Sequence, residues 1–325
     1  MRGGEQSVRR CALRTENHMK KPNSAAVGIL LALILTVLPL PGWGAEPVSG
    51  VEPFTPVIGY SSNTFTNVVK ENAQAAAKLW SNLVIKKKNG IAETRIYHGC
   101  SDMEQDLATG KVDLVVLLSN EYLGLKNRAL LEPLFISARG QELYDNFILL
   151  VRKETGIRSI KDLRGKTFIH QAGNSSDIHR IWFETLIMKE GVHDQEHYFS
   201  SIKEVITPSQ ALMPVFFKRA DACILSRQSF DVMAELNPQL RKDLTVIAES
   251  RPLATGVIAV RKDYNSRHRE MLQEVLETLD QDVQGKQLLT LFRMSALVPF
   301  RQNYLQSMVE FLKEYNELIT RNRKR

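Results

Sequence analysis

Short polar stretches follow one apolar run after another in this chain of 325 residues. Ser61-Ser62-Asn63 comes after "VIGY", Ser119-Asn120 after "VDLVVLL", and Asn174-Ser175-Ser176 after "KTFIHQ". Thr207 and Ser209 open a further segment, and Ser226 follows "DACIL". Hydroxyls and amides donate hydrogen bonds, and the first N–H groups of a helix lack partners within it, so such turns are suited to the oxygens of an anion. The same residue types are the commonest helix N-caps. Both readings stand for each turn, and recurrence at successive strand ends adds the reading of a shared cleft for a polar ligand. In open α/β sheets ligands bind beyond the carboxyl ends of the strands. Arg227, next to Ser226, is either a partner for an anion or a surface residue at a helix start.

Other chemistries fit less well. His98, His170, His179, His193 and His197 form no His-Glu-x-x-His motif, and no cysteine joins them at close range. No Gly-x-Ser-x-Gly elbow and no Gly-x-x-x-x-Gly-Lys-Ser/Thr loop is present. No catalytic residue, metal or cofactor is therefore expected, and the protein is not read as an enzyme.

The elements that must position these turns alternate. Strands are expected at Val57–Tyr60, Thr94–His98, Val112–Leu118, Asn146–Arg152, Thr167–His170, 221–225, 244–248 and 256–260. Helices are expected at Phe65–Lys88, at Ser101–Thr109 with a Ser101/Glu104 capping box, from Ile178 to Glu190, and from a Thr207/Gln210 capping box with Pro208 at N1 to Lys218. Ser226 should cap another, and everything beyond Ser266 reads as helical. The nearly continuous apolar character of "VDLVVLL" is that of a buried parallel strand. Alternation of this kind means an α/β fold, and its length exceeds one comfortable core, so two interwoven lobes are expected.

Residues 1–44 read as a secretory signal peptide with a polar overhang. Met19 is the expected start, Lys20-Lys21 the basic region, Ala25–Leu40 the apolar region, and cleavage is expected after Gly44. The net charge of +7 is concentrated at the two ends of the chain. Residues 1–45 carry six basic and two acidic side chains, and Arg321, Arg323, Lys324 and Arg325 add four basic ones, so the body between them comes to about −1. A near-neutral body argues against a nucleic-acid partner.

The sequence also resembles a known family. "IGYSSNT", "ATGKVDLVVL", "IKDLRGKTFIHQAGNSSDIH", "ALMPVFFKRADACIL" and "PLATGVIAVRKDY" are similar, in order and type, to motifs of the periplasmic solute-binding proteins of phosphate/phosphite/phosphonate ABC importers. The resemblance implies a two-lobed type II periplasmic binding protein fold, α/β, with two mixed, mostly parallel sheets and helices on both faces. It implies residues 56–145 and 255–325 as lobe 1 and 146–254 as lobe 2, with hinges near Phe147–Val151 and Val257–Val260 where the chain crosses. It points to Tyr60, Ser61, Ser62, Ser119, Asn120, Asn174, Ser175 and Ser176 as ligand-binding residues, to which the reading of the turns adds Ser209 and Arg227. Asp177 stands where the family loop is neutral and is expected to face away from the ligand or to cap the helix. Pro208 and Ser209 stand where the family often carries His and an acidic residue, so no acidic partner for a ligand amine is expected there.

The implied function is an exported, monomeric receptor that captures a small oxyanion or phosphorus-containing compound between two lobes and delivers it to an ABC permease of the inner membrane. The alternative is a periplasmic sensory subunit for a membrane kinase, built on the same fold. Two cysteines, Cys100 and Cys223, lie beyond the signal, one in each implied lobe, and a bridge between them would oppose hinge motion. Alkylation of unfolded exported protein without reductant, read by intact mass, should add two labels; no label would mean a disulfide.

Overall fold

The apolar runs become strands buried on both faces, and residue-by-residue alternation shows how. The computed structural model describes residues 53–65, 70–139, 142–171, 178–192, 195–292 and 294–323. In chain order these form β1 (Val57–Ser61), α1 (Lys70–Lys86), β2 (Glu93–Tyr97), α2 (Cys100–Ala108), β3 (Leu114–Leu118), α3 (Ser119–Gly124), β4 (Leu131–Ala138) and β5 (Tyr144–Asp145). There follow β6 (Phe147–Arg152), β7 (Thr167–Gln171), α4 (Ile178–Lys189), α5 (Gln195–Tyr198), β8 (Ser201–Val205), α6 (Pro208–Phe216), β9 (Ala222–Ser226), α7 (Arg227–Leu236), α8 (Gln239–Asp243) and β10 (Leu244–Glu249). The chain ends with β11 (Leu253–Ala254), β12 (Gly256–Arg261), α9 (Ser266–Glu277), α10 (Val283–Leu291), β13 (Ala296–Pro299) and α11 (Gln306–Arg323).

One sheet runs β13-β4-β12-β3-β1-β2 and the other β10-β6-β9-β7-β8. In the first, Ile58, Leu114, Ile258 and Val260 face a core shared with α1, α9 and α10. Their neighbours Val115, Leu117, Val257 and Ala259 face the opposite core with Met103 and Leu107 of α2. In the second sheet Phe147, Leu149, Val151, Phe168 and Ile224 face α4, while Ile148, Leu150, Ile169, Cys223 and Leu225 face α6, α7 and α8. Gly59 is required in β1, since a Cβ there would lie 2.8 Å from the Tyr97 ring and 2.9 Å from Val112.

Several expectations change. The sheets are mixed, as expected: β1, β2, β3 and β4 run in one direction in the first sheet, and β7, β8, β9 and β10 in the second. β1 is parallel to β2 and β3, and β7 to β8 and β9. β12 is antiparallel to β3 and β4, β13 to β4, and β6 to β9 and β10, because the strands that follow each crossing enter their sheets reversed. β4, β8 and β13 are strands that the sequence reading missed. Pro133 interrupts the β4 pattern and sits where the register with β12 shifts, a place where a strand tolerates proline. β8 is a polar edge strand, Ser-Ile-Lys-Glu-Val, of the kind that blunts a sheet edge. α2 starts one residue earlier than expected, with Gly99 at its N-cap and therefore no side-chain cap bond, and the Glu104 carboxylate accepts from the Lys126 N–H. The Thr207/Gln210 box forms as expected, with Pro208 in the first turn. Cys100 and Cys223 are both free thiols.

The lobe assignment changes at its C-terminal end. Helix α11 was expected in lobe 1, yet its Met308 and Phe311 are buried in the core of the second sheet with Ile181 and Trp182 of α4. Tyr315 Oη donates to Glu184 Oε2 at 2.5 Å, and Lys189 pairs with Glu314 at 2.6 Å. Both α11 and α4 are amphipathic, and the apolar stripe of α11 finds its cover there. The chain thus passes from one sheet to the other at β5, at β11 and again ahead of α11. Phe311→Ala should lower stability by about 3–5 kcal/mol in urea unfolding, the cost of emptying a core aromatic site. A loss below about 1 kcal/mol would mean that α11 is not part of that core.

Candidate functional site

The carboxyl ends of the inner strands carry the expected turns. At the end of β1, Ser61 caps a 3-10 turn, Ser62–Thr64, and accepts from the Asn63 N–H at 3.2 Å. The Ser61 hydroxyl donates to Glu121 Oε1 at 2.6 Å, and Asn63 Nδ2 donates to the same oxygen at 2.7 Å. Glu121 lies at N3 of α3, where its Oε2 accepts from the Leu118 N–H at 2.9 Å. One carboxylate therefore ties the turn after β1 to the turn after β3. The Ser119 hydroxyl donates to the Ala254 carbonyl, and its N–H to the Thr255 carbonyl at 2.9 Å.

Between these turns, α4 and α11 lies a cavity of about 1140 Å³. Cys100, Asn120 and Glu121 line it from the first lobe, Ile181 from α4, and Gln306, Lys313, Asn316 and Arg321 from α11. Burial pushes the Cys100 thiol up to about 11, and the nearby Glu121 and Glu104 carboxylates add to this. The cysteine is therefore an uncharged wall. Among the described residues no group of His, Cys, Asp or Glu is placed to hold a metal ion, and no helix is long and apolar enough to cross a membrane.

Of the expected ligand residues, Asn120 lines the cavity. Asn174, Ser175 and Ser176 lie outside the described residues, between β7 and α4. Ser61 and Ser119 stand beside the cavity with their hydroxyls committed to Glu121 and to the Ala254 carbonyl. Ser62 stands in the turn after β1, half-buried. Tyr60 is a correction. Its ring is 1% exposed and packs on Phe65 and Trp80, its hydroxyl meets Ser81 Oγ at 2.9 Å, and burial drives its ionisation well above the usual range. The period-2 alternation of β1 turns this side chain into the core.

In the second lobe, Ser209 is exposed and its hydroxyl lies 3.2 Å from that of Thr207. Arg227 is also a correction to the picture of a free cation. Its Nη2 meets Glu249 Oε2 at 2.5 Å and its Nε meets Oε1 at 3.2 Å, so its charge is already matched. Neither Ser209 nor Arg227 lines the cavity. Ser226 caps α7, as expected, by accepting from the Ser229 N–H. Glu121 was missed by sequence reading. Its only local signal is that of an N3 glutamate behind an apolar run, and the partners that distinguish it come from β1, 60 residues away.

Two sheets joined by crossing strands, with a cavity beside the turn that follows β3, are the architecture of a two-lobed solute-binding protein of the type II periplasmic class. Residues 62–304 match the family described as the periplasmic substrate-binding protein of phosphonate ABC transporters, and the chain belongs to that family. It is a substrate-binding receptor of a periplasmic family, which is not a class of enzymes. Among solved structures, a binding protein component of an ABC phosphonate transporter from Pseudomonas aeruginosa is similar at TM-score 0.59 and 15% identity, covering 84% of this chain and 89% of that one. PhnD1 from Prochlorococcus marinus, solved with methylphosphonate, is similar at TM-score 0.56 and 16% identity, covering 82% and 99%. XAC2383 from Xanthomonas citri, solved with chloride, is similar at TM-score 0.61 and 18% identity, covering 82% and 99%. No curated protein sequence matches the chain.

The bond from Ser119 to the Ala254 carbonyl gives a test of the hydroxyl's role. Ser119→Ala should lower stability by about 1–3 kcal/mol in urea unfolding, because a buried carbonyl loses its donor. An unchanged midpoint would show that the hydroxyl is not structural.

Proposed function

We propose that the protein captures a small oxyanion, a phosphate-, phosphite- or phosphonate-like compound, in the cavity between the two lobes and hands it to an ABC permease of the inner membrane. Export through a cleaved signal peptide, residues 1–44, and action as a monomer complete this reading. The observation that carries it is the position of the cavity. It lies at the turn where β3 ends and beside the first turns of α4, the helix that follows the Asn174-Ser175-Ser176 segment.

In this reading Asn174, Ser175 and Ser176 supply donors from the start of α4, and Asn120 and Ser62 supply amide and hydroxyl groups from the first lobe. The N–H groups of a helix start and nearby hydroxyls favour oxygens that carry negative charge. Lys313 and Arg321 on the cavity wall add cations. Ser209 and Arg227 stand on turns of the second lobe and join the ligand only if lobe closure carries them to it, Arg227 by exchanging Glu249 for the anion.

Titration calorimetry against phosphate, phosphite and alkylphosphonates tests the ligand class, and heat from none of them would end the oxyanion reading. The double variant Ser175→Ala/Ser176→Ala should weaken binding by roughly 1–3 kcal/mol, about five- to a hundredfold or more. If the serines only cap α4, affinity stays unchanged and stability falls by about 0.5–2 kcal/mol.

A further inference from the structure

Glu121 ties two turns with both carboxylate oxygens, and none of the groups it ties carries a charge to balance its own. As the N3 residue of α3 it satisfies the Leu118 N–H, a role that glutamine fills equally well. Its residue is 5% exposed, and its donors are a hydroxyl, an amide and a backbone N–H, all neutral. The other buried acids among the described residues have arginine partners: Asp113 meets Arg261 at 3.2 Å and Asp145 meets Arg139 at 3.8 Å. A buried carboxylate with hydrogen bonds but no counter-charge is costly. Oε1 takes two donors and Oε2 takes one, which leaves an acceptor position open on a side chain that lines the cavity.

A second observation lies beside it. Asn63 Oδ1 is buried with no hydrogen-bond partner. Its amide cannot be turned around, since that would set Oδ1 against the Glu121 carboxylate that Nδ2 now meets at 2.7 Å. Asn63 Oδ1 thus has no donor, and the adjoining Glu121 carboxylate has room for one more. The remaining charged groups on the cavity wall are Arg128, Lys313, Arg321 and Glu317. Those cations answer the ligand's negative charge, so the demand at Glu121 is for a hydrogen-bond donor.

We propose that Glu121 is a specificity-determining residue: its carboxylate accepts a hydrogen bond from the ligand. The cleft then takes oxyanions that carry a donor, a protonated phosphoryl oxygen or an ammonium group, and rejects oxyanions that carry none, such as alkylsulfonates. This rests on the oxyanion reading given above.

Calorimetry on the exported chain tests it with methylphosphonate, ethylphosphonate, 2-aminoethylphosphonate and methanesulfonate, on the wild type and on Glu121→Gln and Ser61→Ala. The wild type should prefer methylphosphonate to methanesulfonate by at least about tenfold, since a site built around a hydrogen bond rejects an analogue lacking it. Glu121→Gln, whose amide can donate to a sulfonate oxygen, should cut that preference to about threefold or less. Ser61→Ala loosens the tie but keeps the charge, so the preference should persist even where both affinities fall. If the donor is an ammonium group, the advantage of 2-aminoethylphosphonate over ethylphosphonate disappears in Glu121→Gln; if it is a protonated oxygen, that advantage is absent in the wild type and the sulfonate preference alone collapses. A Glu121→Gln variant that changes neither the sulfonate preference nor the ratio of 2-aminoethylphosphonate to ethylphosphonate would overturn the proposal and leave the residue a tie between two turns. No heat from any compound with the wild type would overturn the oxyanion reading itself, and this proposal with it.

Discussion

The chain crosses between its two sheets through β5 and β11, and their antiparallel pairing is the constraint on which the rest of the structure depends. Leu253 lies opposite Asp145 and Ala254 opposite Tyr144. Two residues of ladder leave other backbone groups at the crossing without sheet partners, and side chains supply them. Asp145 Oδ1 accepts from the Asn146 N–H at 2.9 Å, and Ser250 Oγ accepts from the Phe147 N–H at 2.8 Å. Asn146 Nδ2 reaches the Ser250 carbonyl at 3.1 Å. A crossing held by a short ladder and side-chain bonds satisfies its polar groups without a wide sheet that would resist bending, which suits a hinge.

The crossing and the cavity meet at one turn. Ser119, at the end of β3, bonds to the Ala254 and Thr255 carbonyls of the crossing segment, while its neighbours Asn120 and Glu121 face the cavity. Arg227, at the end of β9, donates its N–H to the Asn146 carbonyl at 2.7 Å and pairs its guanidinium with Glu249. The turn after β3 thus serves the backbone of the crossing and the wall of the cavity together, and the turn after β9 serves the crossing. This is why a polar residue at such a turn is equally readable as a cap, a hinge bond or a ligand contact until its partners are known.

Much of the fold was legible in the sequence because burial on both faces leaves continuous apolar runs, and β1, β3, β6, β9 and β12 carry them. The Thr207/Gln210 and Ser226 caps were legible because capping is local, set by residues two or three positions apart. β8 and β13 were not, since edge strands bury too little to leave a pattern, and Pro133 concealed β4. The placement of α11 was not legible either: its amphipathic stripe shows that it has a partner but does not say which lobe supplies it.

The residue types at the site, serine and asparagine after successive strands, follow from the sequence alone, as do the α/β class and the resemblance to a family of solute receptors. Only the tertiary structure decided which of those groups remain available. Tyr60 went to the core because strand alternation and the packing of α1 turned it there, and Arg227 met Glu249 because β9 and β10 flank β6 in one sheet. Glu121 gained its place through Ser61 and Asn63, at the end of β1 and in the turn after it, which become its neighbours only when β1 and β3 pair. Local chemistry is set by neighbours in the chain, whereas the charge and hydrogen-bond balance of a cleft is set by neighbours in space.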